Sequence, residues 1–209
     1  MMLFMYLVPP LIAEKLLLTG YIVLMAGGML YLLNAVERGR TPLVFIGFPF
    51  IYNLLLLKGF YNCSLSLALL MPIIGYWWKH YKTFSVKNMI ILGLLLVVMY
   101  FCHLVYLTFA LFSIATIATL SLMHKFNKWK QTLLSLLSML PAIGLMLYYL
   151  ITSGTARGGT WKLDRLWQYF IYNEVLAYHS QNQLILGKFV TAAFVILFFY
   201  TLISKHLFT

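Results

Sequence analysis

Long apolar runs follow one another along the chain, separated by short clusters of charged or turn-forming residues. A helix needs roughly 20 mostly apolar residues to cross the ~30 Å core of a bilayer. Division at the polar clusters predicts an all-α, polytopic transmembrane helix bundle of about seven spans, which forms a single domain over residues 1–209. The spans are expected near residues 16–36, 43–58, 62–78, 88–102, 104–123, 132–151 and 188–204.

The pattern predicts turns at two defined positions. The run from Asn88 to Met123 is too long for one crossing, so we place a tight turn at Cys102-His103. Lys58-Gly59 predicts a second turn in an interrupted hairpin, because glycine tolerates tight backbone conformations. Asn62 lies just after this turn, where its amide can satisfy exposed backbone groups.

Composition favours a lipid environment over water. Hydrophobic residues make up 63% of the chain and charged residues only 9%, too few to cover a water-soluble globule. The formal charge of +11 comes mostly from basic residues between the apolar runs, as anionic headgroups favour. We therefore expect membrane lipids as partners and no nucleic acid, for which no recognition motif is present.

The distribution of Lys and Arg predicts the orientation of the spans. One set of short connections contains nine basic residues, whereas the opposite set contains Lys15 and Lys58. Cytoplasmic loops carry the excess of Lys and Arg, so the first set and the C-terminus are expected in the cytoplasm. The first set is Arg38, Arg40, Lys79, Lys82, Lys87, Lys125, Lys128, Lys130 and Lys205.

The longest polar stretch, residues 152–187, is then an extracytoplasmic loop. Its first part, residues 152–160, is rich in glycine and small residues, and predicts a flexible segment. Residues 161–178 mix Trp and Leu with charged residues, a composition typical of a helix lying in the headgroup plane. At the opposite membrane face, residues 76–82 combine aromatic and basic side chains and predict an interfacial anchor.

Candidate chemistry is confined to polar residues at the membrane faces, because soluble-enzyme motifs are missing. Glu14, next to Lys15, is a candidate outer-side acid or phosphate contact, although the end of a helix explains it more simply. His103 is a second candidate, with capping of its turn an equal alternative. Arg157 and Arg165 match phosphate geometry and would serve equally as headgroup anchors.

No cofactor is evident from the sequence. Cys63 and Cys102 have neither a CxxC motif nor the Cys/His spacing of a zinc site, so we expect them to pack as small hydrophobic residues. A requirement for a divalent metal stays open.

The segments 48–81 and 94–111 resemble bacterial membrane proteins of the GT-C glycosyltransferase type, relatives of the mannosyltransferases that use polyprenyl- or dolichyl-phosphate sugars. The resemblance covers residues 45–110 and consists of aromatic, Asn and Gly residues among apolar ones. Among the matching residues, it makes Asn62 a candidate contact for the substrate or its lipid phosphate and His103 a candidate catalytic residue. It implies a bacterial inner-membrane enzyme that transfers a sugar from a polyprenyl-phosphate-sugar donor on the extracytoplasmic side.

The chain differs from this family in one important feature. The acidic motif of the family lies in a large outer loop after the first span, and this chain has no such loop before residue 16. We therefore expect a fragment, in which inverting transfer relies on an acid outside this chain. A secondary transporter or flippase is one alternative, and a non-catalytic membrane subunit with close helix contacts at Ala26-Gly27-Gly28 is the other.

Overall fold

The computed structural model describes residues 8–37, 44–45, 47–48, 51–123, 129–152, 185, 188–189, 191–193 and 195–196. Within these ranges the protein is all-helical and has no strand, as the sequence predicts. The helices are α1 (Pro10–Val36), α2 (Leu54–Leu57), α3 (Tyr61–His80), α4 (Val86–Cys102), α5 (Leu104–Met123), α6 (Trp129–Leu137) and α7 (Leu140–Thr152), and a 3-10 turn, Tyr81–Thr83, follows α3.

The ends of the helices follow from local sequence. Proline opens α1 at Pro10, where its fixed φ suits the first turn and its missing N–H is not needed. Ser85 caps α4 by accepting a hydrogen bond from the backbone N–H of Asn88 at 3.4 Å. Helix α4 ends at Cys102, and the extended backbone of His103 (φ −165°, ψ 128°) separates it from α5. The predicted turn at this position is confirmed.

Two stretches of helix are long and apolar enough to cross a membrane. They are Pro10–Val36 and Trp129–Thr152, the second of which spans α6 and α7. Val86–Cys102 and Leu104–Leu120 are shorter apolar helices. In the last predicted span, 188–204, the described residues lie between 188 and 196 and are helical.

Helices α1 and α3 run parallel and share the most extensive helix contact in the described part of the chain. The contacts advance in the same direction along both helices, from Glu14 with Tyr61 to Gly28 with Pro72. A Cβ atom added to Gly28 would lie 2.7 Å from Cδ of Pro72, and one added to Gly75 would lie 3.0 Å from Cα of Leu32. Glycine on each helix therefore allows the two backbones to approach.

The parallel arrangement requires residues 37–60 to return along the length of α3, a distance of roughly 30 Å for 20 helical residues. The predicted span 43–58 lies in this part of the chain. The described part of that span, however, contains turns and the four-residue helix α2 instead of one continuous helix. Asn53 explains where α2 begins, because its side-chain Oδ1 accepts a hydrogen bond from the N–H of Leu56 at 2.9 Å.

A buried polar cluster holds this irregular segment against α1. The hydroxyl of Tyr21 donates to the backbone oxygen of Ile51 at 2.8 Å and accepts from Nδ2 of Asn53 at 3.2 Å. The side chains of Tyr21 and Asn53 are fully buried. Buried irregular backbone is tolerated where protein groups satisfy its hydrogen bonds, as Tyr21 and Asn53 do here.

Gly59 completes the turn between α2 and α3. Its φ of 79° is in the left-handed region that favours glycine. The N–H of Phe60 bonds the oxygen of Leu55 at 2.8 Å, and the N–H of Gly59 bonds that of Leu56 at 3.0 Å, which is the Schellman pattern. The turn that the sequence predicts at Lys58-Gly59 therefore has a defined geometry.

The larger apolar core lies among α3, α4, α5 and the α6–α7 pair. Its fully buried side chains include Ile73, Leu92, Leu96, Met99 and Ile114. A second, smaller core surrounds the Tyr21 cluster between α1, α2 and α3.

The predicted span 132–151 is broken at Ser138-Met139, between α6 and α7. Pro141 accounts for the break, because proline has no N–H to donate and its ring clashes with the carbonyl four residues earlier. Ser138 helps to satisfy the broken turn, since its hydroxyl donates to the backbone oxygen of Ser135 at 2.6 Å. The hydroxyl of Ser135 accepts a hydrogen bond from the buried indole N–H of Trp77 and so ties α6 to α3.

We expect Gly28→Ala to destabilise the protein and Gly27→Ala to leave its stability unchanged or higher. The added Cβ at position 28 meets the rigid ring of Pro72, whereas nothing lies within 4 Å of one at position 27. Overpacking of this kind costs about 1–3 kcal/mol. Thermal unfolding of the two purified variants in the same detergent measures the difference, and equal melting temperatures would contradict the close α1–α3 contact.

We expect Asn53→Ala to reduce stability by about 1–3 kcal/mol, because it removes a cap and leaves buried groups without partners. Asn62 is exposed and gives a matched control, since Asn62→Ala makes the same chemical change outside the core. Denaturant titration followed by tryptophan fluorescence provides the comparison. Equal stabilities of the two variants would show that the Tyr21 cluster does not hold the interrupted segment.

Candidate functional site

The first candidate site lies where α1 and α3 begin. The hydroxyl of Tyr61 donates to Oε1 of Glu14 at 2.5 Å, a short distance typical of a charge-assisted hydrogen bond. Both side chains are half-buried. The parallel packing of α1 and α3 produces this contact, because it brings the first turns of both helices to the same end of the bundle.

The hydrogen bond between Tyr61 and Glu14 affects the pKa of the tyrosine. The hydrogen bond to Glu14 raises the pKa of Tyr61 above its ordinary value, since ionisation of the phenol would remove its donor and place two negative charges together. Tyr61 therefore stays a hydrogen-bond donor at neutral pH and fixes the orientation of the carboxylate. The exposed side chain of Asn62 follows directly in the chain.

His103 occupies the single-residue link between α4 and α5. Its ring centroid lies 5.9 Å from that of Tyr106. Its Nδ1 atom is buried and has no hydrogen-bond partner among the described residues. The part of the chain that the structure describes shows no hydrogen bond between His103 and Glu14, so the two candidates are not joined into one catalytic pair.

The remaining residues predicted for phosphate contact cannot be added to this site. Arg157 and Arg165, with almost all of the loop 152–187 and its predicted interfacial helix, lie outside the described residues. Among the residues that are described, no three His, Cys, Asp or Glu side chains are grouped as metal ligands.

A second candidate site is a cavity of about 720 Å³ where α1 and α3 end. Helix α1 contributes the last residues of its final turn, and α3 with the following 3-10 turn contributes aromatic and basic side chains. The cavity is lined by Tyr31, Asn34, Ala35, Val36, Trp78, Lys79, Tyr81 and Lys82.

The two lysines of this cavity lie against aromatic rings. Nζ of Lys79 is 5.6 Å from the ring centroid of Tyr31, and Nζ of Lys82 is 5.7 Å from that of Tyr81. Cation–π contacts at these distances restrict the long side chains. The ammonium groups remain at an exposed position, where each has hydrogen-bond donors available for a ligand.

The sequence indicates only the α3 side of this cavity, and it predicts an interfacial anchor there instead of a binding site. The cluster at residues 76–82 stands out in the sequence, but Tyr31 and Asn34 belong to a run that looks like an ordinary span. Only the parallel α1–α3 contact brings the two together. The available signal was the pair of polar side chains, Tyr31 and Asn34, near the end of an otherwise apolar helix.

Comparison of the chain with protein-family models, with curated proteins and with solved structures finds no match.

Proposed function

We propose that the chain is an integral membrane protein of about seven spans in a bacterial inner membrane, with its C-terminus in the cytoplasm. The two long apolar helices support this placement. So do the large apolar side chains that point away from the bundle, among them Leu94, Phe101, Phe112 and Ile151, each at least 61% exposed. Such a surface is solvated by lipid chains and poorly by water.

The charge asymmetry supports the orientation. Glu14 and Tyr61 then lie at the outer face, and the lysine-lined cavity lies at the cytoplasmic face. The structure separates these two sites by the length of α3.

We further propose that the outer site acts on a lipid-linked sugar, as in GT-C glycosyltransferases. The observation that carries this proposal is the Glu14–Tyr61 hydrogen bond, which gives an acidic residue at the membrane surface a fixed orientation. The other acidic residue in the described ranges, Glu37, follows the opposite end of α1. This proposal places the base within the chain, at Glu14, instead of on an acid outside the chain as the sequence alone led us to expect.

Glu14 would act as the general base for an acceptor hydroxyl. The carboxylate takes the hydroxyl proton while the acceptor oxygen forms a bond to the anomeric carbon of the sugar. The bond between that carbon and the phosphate oxygen breaks, and its electron pair leaves with the lipid phosphate. Attack from the opposite face inverts the anomeric configuration. Tyr61 holds the carboxylate in place but exchanges no proton with the substrate.

The flippase or transporter alternative has less support from the described residues. It needs broken helices with polar groups directed to a substrate. The chain has such breaks at residues 51–53 and 138–139, but the hydroxyls of Tyr21, Ser135 and Ser138 are bonded within the bundle.

The proposed orientation predicts which cysteines a membrane-impermeant thiol reagent will label in intact cells. In a background with Cys63→Ala and Cys102→Ala, we expect Lys15→Cys to be labelled from outside and Lys87→Cys only after the membrane is opened. Both positions are exposed in the structure, so accessibility depends on the side of the membrane. Labelling of Lys87→Cys alone in intact cells would show that the orientation is reversed.

The proposed chemistry predicts that Glu14→Gln lowers transfer of sugar from a polyprenyl-phosphate-sugar by about 10²–10⁴-fold, the usual contribution of a general base. Glutamine can still accept the Tyr61 hydrogen bond, so the packing is kept. Glu37→Gln is the matched control and should transfer normally. Tyr61→Phe, which keeps the base but frees it to rotate, should have an intermediate rate.

Radiolabelled sugar transfer in membranes containing the overexpressed protein gives these rates. If Glu14→Gln transfers at the wild-type rate, Glu14 is not the base. If the wild-type protein raises transfer no further than membranes without it, the glycosyltransferase proposal fails for this chain, and a non-catalytic subunit becomes the better explanation.

A further inference from the structure

We infer that the cavity between the ends of α1 and α3 binds an anionic lipid whose headgroup carries both a phosphodiester and free hydroxyl groups, of the phosphatidylglycerol type. The inference uses the proposed membrane placement but is independent of the sugar-transfer chemistry at the outer site.

The need for a negative charge follows from the balance of charge around the cavity. Lys79 and Lys82 contribute two positive charges. The ends of α1 and α3 each contribute about half a negative charge from the helix dipole. Glu37 follows Val36 but does not line the cavity. Among the described residues, the cavity lining therefore carries two ammonium groups and no carboxylate, which favours an anionic ligand such as a phosphodiester.

The need for hydroxyl donors follows from the backbone of α1. The last intrahelical bond of this helix runs from the N–H of Glu37 to the oxygen of Leu33. Among the described residues, no further N–H group of α1 is left to pair with the carbonyl groups of Asn34, Ala35 and Val36, and these same residues line the cavity. Free headgroup hydroxyls can donate to these oxygens, and the Asn34 amide offers a further donor and acceptor.

The choice of a lipid over a soluble phosphate follows from the aromatic part of the lining. Trp78, Tyr81 and Tyr31 surround the lysines at the end of the bundle. Trp and Tyr are enriched at the level of the headgroups, because their rings prefer the boundary between apolar and polar layers. A cavity at this depth opens beside the lipid headgroups, and its volume of about 720 Å³ has room for one of them.

Binding of single lipids to the full-length protein in neutral detergent, followed by native mass spectrometry, tests the inference. We expect phosphatidylglycerol to bind at least about tenfold more tightly than phosphatidylcholine, whose positive choline group opposes the lysines. Phosphatidic acid should bind less tightly than phosphatidylglycerol, although its phosphomonoester carries more charge, because it lacks the hydroxyls.

The matched variants are Lys79→Gln/Lys82→Gln and Lys87→Gln/Lys130→Gln. Both remove two exposed lysines from the same predicted membrane face, but only the first pair lines the cavity. We expect the first double variant to lose about tenfold in affinity for phosphatidylglycerol and the second to lose less than about threefold. Equal melting temperatures verify that both variants are folded.

Three results would overturn the inference. Equal losses in the two double variants would mean that the lipid is attracted only by diffuse surface charge. Tighter binding of phosphatidic acid than of phosphatidylglycerol would remove the role of the hydroxyls. Binding of soluble glycerophosphoglycerol as tightly as the intact lipid would identify a water-soluble ligand instead.

Sugar transfer by the Lys79→Gln/Lys82→Gln variant separates this inference from the proposed function. Since the lysines lie at the other end of the bundle from Glu14, loss of lipid binding with normal transfer supports the cavity as a distinct lipid site. If the wild-type protein transfers no sugar but binds phosphatidylglycerol through these lysines, the lipid site stands and the enzyme proposal falls.

Discussion

The parallel contact between α1 and α3 is the constraint on which the rest of the structure depends. Gly28 and Gly75 let the two backbones meet, with the ring of Pro72 seated over Gly28. In lipid there is little hydrophobic force between helices, so close backbone packing of this kind supplies much of the association. Because the helices are parallel, their first turns form one polar site and their last turns form another.

The parallel packing of α1 and α3 also determines where the irregular segment between them must lie. The chain must return along the bundle before α3 can begin, and its backbone is non-helical around Ile51 and Asn53. Buried peptide groups without partners are costly, and the segment lies against α1, where Tyr21 bonds both residues. Beside the break before Pro141, the hydroxyl of Ser138 donates in a similar way to the backbone oxygen of Ser135. At both interruptions, a buried polar side chain thus bonds a backbone group that the helix leaves free.

The two sites differ in the chemistry that they can perform. The Glu14–Tyr61 pair combines a carboxylate with a phenol that orients it, an arrangement suited to proton transfer. The cavity at the opposite end combines fixed ammonium groups with carbonyl oxygens at the end of a helix, an arrangement suited to binding a ligand with acidic and hydroxyl groups. The two sites lie at opposite ends of α3, so the proposed reaction and the proposed lipid binding use separate parts of the protein.

The sequence by itself determined the all-helical class, the turn at Cys102-His103 and the glycine turn at Gly59, because apolar run length and residues with special backbone preferences are local properties. It also singled out Glu14 and the aromatic-basic cluster of residues 76–82. Only the tertiary structure decided that Glu14 meets Tyr61 and that Tyr31 and Asn34 complete a cavity with Lys79. Those contacts join residues more than 40 positions apart, and they depend on which glycine faces which helix, which hydropathy does not specify.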